Sequence, residues 1–358
     1  MIPYFLLAAL PILVRMISKN YRITAGTRVL HETRSASIDV FMLLFLILIA
    51  LRGLDCGNDT RQYLRLFNEY NTHSFISLFT RYDREFGYKL LNWLVGSITG
   101  NYQVLLAVAA VICVCPVWYF YKRNSENQLL TIALFLTVAP YMLFFSGIRQ
   151  AIAIAMGIPA WYAARNKKLL WFLVIVALAT QFHSSAFMLL ALYPLYHARI
   201  TKRWLWFVLP CMAAVYVFRS VIFNFLFALL WKEYGLTKET GATTILLLLL
   251  MFGLYSYILP EEKDLDADTV AMRNLLLLSI VLQIFALMHP LSMRMNYYFL
   301  IFVPILIPRI ASRSKKQFAQ IGQLSVIVMS VFFMCYFLYG VITDNDALNI
   351  YPYVPFWE

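Results

Sequence analysis

Long apolar runs recur through nearly the whole of this 358-residue chain, at about residues 2–15, 38–51, 101–121, 128–146, 148–164, 168–182, 185–198, 204–222, 243–259, 270–288, 296–310 and 319–341. In lipid, only helices and closed barrels satisfy their own backbone groups, and runs without a two-residue alternation are helical. The pattern predicts an all-α polytopic integral membrane protein of about twelve transmembrane helices, several shorter than the ~20 residues that a perpendicular helix needs. A composition that is 62% hydrophobic and 13% charged, with mean hydropathy +0.70, lies outside the range of soluble domains. Residues 1–358 read as one membrane domain, without a linker or a low-complexity stretch.

The net charge of +12 does not point to nucleic acid, because the basic residues form short clusters between apolar runs and not one continuous stripe. Arg15 to Arg34, Lys122-Arg123, Arg165 to Lys168, Arg199 to Arg203 and Arg309 to Lys316 fall at alternate loops, which the positive-inside rule makes cytoplasmic. With Lys263 and Arg273, that side holds nineteen of the thirty Lys and Arg. Both termini are then external. So are Arg52, Asp55, Asp59, Arg149, His183, His289 and Arg294, none of which was used to set the orientation. Residues 88–98 fit a half-span or interfacial helix, since a full crossing there would move Lys122 and Arg123 outside. The first apolar stretch lacks a basic n-region and a small-residue cleavage site, so a retained span is expected. Glu261 to Asp268 reads as a solvated cytoplasmic loop.

Five cysteines give no disulfide framework; four lie in spans and only Cys56 is external. No metal or other cofactor is expected.

Charged groups near the bilayer centre cost roughly 2.5 to 3.5 kcal/mol, so an ionisable residue at membrane depth marks a cavity, a partner or a substrate. Arg149, in Phe145-Ser146-Gly147-Ile148-Arg149-Gln150, precedes a small-residue run that allows close helix approach. Its planar fork of donors suits phosphate oxygens, and Gln150 can add an amide. The alternative is an arginine snorkelling to headgroups. His183, in Phe182-His183-Ser184-Ser185-Ala186, is the side chain best suited to take a proton near neutral pH, although a lone membrane histidine is often structural. In the segment from His289 to Tyr298, Arg294 and Tyr298 share a helical face, whereas Asn296 does not. His289 before Pro290 reads as a turn residue.

Residues 52–100 form an external segment, with amphipathic or half-span helices between the second and third spans. Tyr63, Phe67 and Tyr70 repeat at helical spacing, which suits a helix lying on the membrane or over a cavity. Beside it lie Arg52, Asp55, Asp59, Arg81, Asp83, Arg84 and Glu85. Either this is a surface helix, or it is a carbohydrate-handling lid in which aromatic faces stack on sugars while carboxylates bond hydroxyls. Arg52, Arg149 and Arg294 on one face suggest a multiply charged anion such as a diphosphate. A sugar diphosphate leaves readily once its charge is neutralised, which leaves deprotonation of an acceptor hydroxyl as the remaining task.

Taken in order, Arg52…Gly57-Asn58-Asp59-Thr60…Tyr63…Phe67, Glu85-Phe86-Gly87-Tyr88, Ile148-Arg149-Gln150…Ala153, Phe182-His183-Ser184-Ser185-Ala186, Arg294…Tyr298 and Tyr351-Pro352-Tyr353 resemble the EpsG family of Wzy-like polysaccharide polymerases. The resemblance implies an architecture like that of membrane glycosyltransferases of the GT-C type and O-antigen polymerases. It also implies a bacterial inner-membrane glycosyltransferase that polymerises oligosaccharide repeat units carried on undecaprenyl diphosphate, working at the periplasmic or external face. Its partners would be those lipid-linked oligosaccharides, the bilayer, a flippase and a chain-length regulator. By analogy with O-antigen ligases, the transfer would be metal-independent. Carried onto this chain, Arg149 and Arg294, with Arg52, would hold the diphosphate, Gln150 and Tyr298 would line the site, and His183 would activate the acceptor. Asp55, Asp59 and Glu85 stand as alternatives for the base or for sugar recognition.

Competing readings are an O-antigen ligase or another lipid-linked glycosyltransferase, a polysaccharide transporter and a membrane acyltransferase. A metal-dependent glycosyltransferase could use Asp55 and Asp59 as paired carboxylates if they were helical, but Gly57 argues for a loop. A transporter should show matched mid-membrane breaks in repeated halves, and none is visible.

Overall fold

Twenty apolar residues in a row have one low-energy solution in lipid, and the chain adopts it repeatedly. The computed structural model describes all residues except 19–21, 26–27, 33–35, 73, 82–84 and 231–241. Among the described residues the fold is helical, apart from a short antiparallel hairpin of Arg22–Ala25 against Arg28–Glu32. Three helices are long and apolar enough to cross a membrane: Tyr102–Asn124, Ala267–Ala286 and Lys316–Ile342. Two bent pairs raise this to five if each counts as one crossing: Lys202–Val217 with Arg219–Phe225, bent by 74°, and Pro290–Leu300 with Val303–Ser312, bent by 50°. Ile2–Ile17, Ser37–Ala50, Gln128–Thr137, Leu169–Thr180 and Ala242–Ile258 are shorter apolar helices. The protein is therefore an all-helical membrane protein.

Several apolar runs are broken into two helices. The run 128–146 divides into Gln128–Thr137 and Tyr141–Ser146 at Pro140, whose ring removes a backbone donor. The run 148–164 divides at Met156 into Ile148–Ala155 and Gly157–Arg165. Pro304 opens the second half of the bent pair, at a first-turn position where a missing N–H costs nothing.

Burial ranks the long helices. Ala267–Ala286 is 72% buried within the protein, whereas Lys316–Ile342 is 22% buried and turns Leu324, Val331, Phe332 and Tyr339 outward, as a lipid-facing helix does. Polar residues inside the bundle bond across helices. Asn296 donates from Nδ2 to Gln283 Oε1 at 3.0 Å and to the Ser279 carbonyl at 3.1 Å, so it points away from the face of Arg294, as its spacing predicts.

The segment 52–100 folds into three helices: Thr60–Asn71, Phe75–Arg81 and Phe86–Thr99. Tyr63, Phe67 and Tyr70 are buried along one face of the first, the amphipathic pattern expected. Phe86–Thr99 has 14 residues, a length of about 21 Å, which is short of the ~30 Å hydrocarbon core. Asp83 and Arg84 lie outside the described residues.

The two ends of the matched motif series meet. Gly57 N–H donates to the Asn349 carbonyl at 2.8 Å and Asn58 N–H to the Leu348 carbonyl at 3.0 Å. The Asp346 carboxylate accepts backbone N–H groups from Leu348, Asn349, Ile350 and Tyr351. Tyr351 packs edge-on to Tyr4, with ring centroids 4.7 Å apart. A C-terminal strap thus holds the Gly57 turn from above, and Cys56, though external in the sequence reading, is buried beneath it. Gly57 has φ +95°, and a Cβ there would lie 2.7 Å from the Phe145 carbonyl oxygen. Gly57→Ala is expected to cost about 1–3 kcal/mol of backbone strain, beyond the clash. Thermal unfolding of the purified protein should show a lowered midpoint; an unchanged midpoint would contradict this account of the turn.

Candidate functional site

Glu85 is the hub of a polar cluster. It precedes Phe86–Thr99 in a left-handed conformation, φ 58°, which costs a residue other than glycine of order 1 kcal/mol and tends to occur where function demands it. The next turn can reach the end of Leu169–Thr180 because residue 87 is glycine: a Cβ there would lie 3.0 Å from Gln181 Cβ. Tyr88 N–H then bonds the Gln181 carbonyl at 3.3 Å, which brings Glu85 alongside His183.

Three groups converge on the Glu85 carboxylate. His183 Nδ1 lies 2.8 Å from Oε1, the Ser184 N–H donates to the same oxygen at 3.3 Å, and Arg149 Nη1 donates to Oε2. Burial alone would raise the Glu85 carboxyl's pKa. The hydrogen bond from His183 and the Arg149 charge, with help from the His183 charge and the Ser184 N–H, outweigh burial and hold the pKa below its ordinary value. The carboxylate is therefore ionised at neutral pH and serves as an acceptor. With an anion opposite Nδ1, the favoured neutral tautomer of His183 carries its proton on Nδ1 and leaves Nε2 as a base.

Arg149 begins the helix Ile148–Ala155, and its guanidinium lies 5.6 Å from the Tyr63 ring centroid and 5.9 Å from that of Tyr88. The rings wall it in and favour the cation. Its side chain is 34% exposed, so part of the fork remains open to a ligand. Gln150 is buried and donates from Nε2 to the Arg294 carbonyl at 2.6 Å, which ties the helix Pro290–Leu300 to the start of Ile148–Ala155. The Arg294 side chain is exposed, with no ion pair among the described residues. Tyr298 shares a hydrogen bond of 3.0 Å with Ser185 Oγ. His289 caps the same helix, its Nδ1 accepting the Leu291 N–H at 3.0 Å, which agrees with a turn role.

Of the residues expected in the site, the structure joins Glu85, Arg149 and His183 directly, brings Tyr298 to them through Ser185, and ties Gln150 to the backbone of Arg294. Asp59 borders them: it is half-buried, its N–H lies 3.4 Å from Ser146 Oγ, and it sits one helical turn before Tyr63. Arg52 is elsewhere, buried beneath the strap, with Nη1 donating to the Ile49 carbonyl at 2.5 Å. Asp55 is also elsewhere, in an exposed pair with Arg61. Residues 55 to 59 form turns, and the helix starts at Thr60, so Asp55 and Asp59 do not present carboxylates one above the other. Asp55→Asn is expected to leave the thermal stability within about 1 kcal/mol of wild type, as loss of an exposed pair does; a larger loss on thermal unfolding would contradict this account of the Asp55–Arg61 pair.

Tyr88 and Ser185 were not among the residues singled out for the site, and Tyr63 entered only as part of the aromatic helix read as a surface helix or a lid. Their signal was present but indirect: each lies in a quoted motif beside a residue that was chosen.

This is a helical membrane protein in which an arginine and a histidine from distant parts of the chain meet on one buried carboxylate at one end of the bundle. The sequence model of the EpsG family matches residues 38–354, and the chain belongs to that family, whose members are Wzy-like polysaccharide polymerases. No curated protein and no solved structure matches the chain.

Proposed function

We propose that the protein polymerises a bacterial surface polysaccharide at the external face of the inner membrane, crossing it about twelve times. It transfers a growing glycan from undecaprenyl diphosphate to a sugar hydroxyl of a lipid-linked repeat unit. The observation that carries this reading is the Glu85–His183–Arg149 cluster, which combines an oriented base with a partly open arginine fork. Arg149 and Arg294 bind the diphosphate; the buried rings of Tyr63 and Tyr88 hold the Arg149 guanidinium in place, and Tyr298 supports the turn after His183 through Ser185. Glu85 fixes the tautomer of His183, whose Nε2 removes the acceptor proton. The acceptor oxygen then bonds to the anomeric carbon as the carbon–oxygen bond to the diphosphate breaks, and undecaprenyl diphosphate departs with its charge held by the arginines. Glu85 is too well satisfied as an acceptor to be the base, so it is assigned a positioning role.

The test is an electrophoretic profile of lipid-linked and surface glycan in cells lacking the gene, complemented with wild type or with Arg149→Ala. Single repeat units without a long-chain ladder, restored by wild type and not by the variant, are expected. An intact ladder in the deletion strain would overturn the reading.

A further inference from the structure

The opposite end of the bundle carries a second constellation. Ile148–Ala155 and Gly157–Arg165 run away from Arg149, and Leu169–Thr180 returns toward His183, so the turn between Arg165 and Lys168 lies at the far end. There a cavity of about 650 Å³ is lined by Arg165, Lys167, Arg199, Lys263, Arg273 and Glu262, among others. Five cations thus face one lining carboxylate.

Part of this charge is committed. Arg273 is fully buried, bonds both Glu262 oxygens at 2.9 Å and donates to the Ile200 carbonyl at 2.9 Å. It also lies 4.0 Å over the Tyr257 ring. Its Nε has no partner. Arg165 is 3.4 Å from Asp268, and Lys263 is 2.7 Å from Glu261. Glu261 to Asp268 is therefore not only a solvated loop; three of its carboxylates are tied to this rim.

Lys167 and Arg199 have no ion pair among the described residues, and both are exposed at the mouth. Lys167 has φ 55°, a conformation that glycine would hold at lower cost. A lysine kept there supplies a charge that the turn does not need. Beyond the lining, Lys202 lies close enough to Lys315, Arg273 and Glu262 to feel their charges, so further cations crowd the same corner.

We infer that this cavity binds a phosphate-bearing anion, held at its mouth by Lys167 and Arg199 within the positive field of the other cations that line it, Arg165, Lys263 and Arg273. A phosphate presents several acceptor oxygens at once, which is the chemistry that converging arginine and lysine donors select. The source is either the headgroup of an anionic phospholipid or a soluble phosphate compound. The site is separate from the Arg149 cluster and does not depend on the polymerase reading.

The experiment uses the full-length protein in nanodiscs of phosphatidylcholine, with phosphatidylglycerol added to the bilayer or inorganic pyrophosphate titrated into the buffer at constant ionic strength. Thermal midpoint is the readout, for wild type, for Lys167→Gly with Arg199→Gln, for Arg199→Gln alone, and for Arg123→Gln as a basic residue outside the cavity. Wild type is expected to be stabilised by at least one of the two anions. Losing charge-assisted bonds at both positions should weaken that effect about tenfold or more, with Arg199→Gln intermediate and Arg123→Gln unchanged. The double variant should not have a lower anion-free midpoint than Arg199→Gln alone, because glycine relaxes the turn at residue 167. A response to pyrophosphate identifies a soluble phosphate ligand, and a response to phosphatidylglycerol alone identifies a headgroup. No stabilisation of wild type by either anion, or equal weakening in Arg123→Gln, would overturn the proposal.

Discussion

Glu85→Gln is expected to lower chain elongation by about 10²- to 10⁴-fold, the range lost when an orienting carboxylate or a general base is removed. The substitution keeps the shape of the side chain and changes two things. A glutamine amide can donate to His183 Nδ1, which would place the ring proton on Nε2 and remove the base. It also leaves Arg149 without the negative charge that now meets it at Glu85 Oε2. Membrane abundance should stay near wild type, because the amide keeps the shape of the carboxylate: its oxygen still accepts from Arg149 while its NH2 meets His183, and only the longer contact from the Ser184 N–H is lost. Full elongation by Glu85→Gln would show that a neutral acceptor suffices and would remove Glu85 from the positioning role.

His183→Ala is expected to be at least as severe, with a loss of about 10²- to 10⁴-fold in elongation. It removes the proposed base and leaves the arginines in place, so binding of the lipid diphosphate should persist while turnover fails. Added imidazole, small enough to occupy the vacated space, should restore part of the activity if the ring acts through its basicity. A lost histidine that was merely structural would instead lower protein levels or the thermal midpoint. Normal elongation by His183→Ala at normal abundance would exclude His183 from the chemistry and direct attention to Asp59, the carboxylate at the border of the cluster.

The class of fold was legible because the bilayer imposes one constraint on every apolar run, and the runs carry it residue by residue. The number of crossings was less legible. Breaks at Pro140 and Met156 divide runs that look continuous, and whether two short helices make one crossing depends on how neighbouring helices pack against them. Arg149 and His183 were found through their cost: each is an ionisable group in apolar sequence. Glu85 was noticed, but its central place was hidden because its two principal partners lie 64 and 98 residues away and are reached through a left-handed residue and a glycine contact that no periodicity encodes. The strap that joins Gly57 to Asn349 was hidden for the same reason. Arg52 misled in the opposite direction. It looks like its fellow arginines in sequence, but the chain folds over it and buries it.

The most direct measurement is elongation by the purified protein of a synthetic repeat unit on undecaprenyl diphosphate, followed by product length and by released undecaprenyl diphosphate. Wild type should build a ladder and release one carrier per unit added. Glu85→Gln, Arg149→Ala and His183→Ala, each folded to the same thermal midpoint, should do neither at more than a small fraction of that rate. A wild-type protein that leaves the lipid-linked unit unchanged, or a ladder that survives loss of all three side chains, would contradict the account.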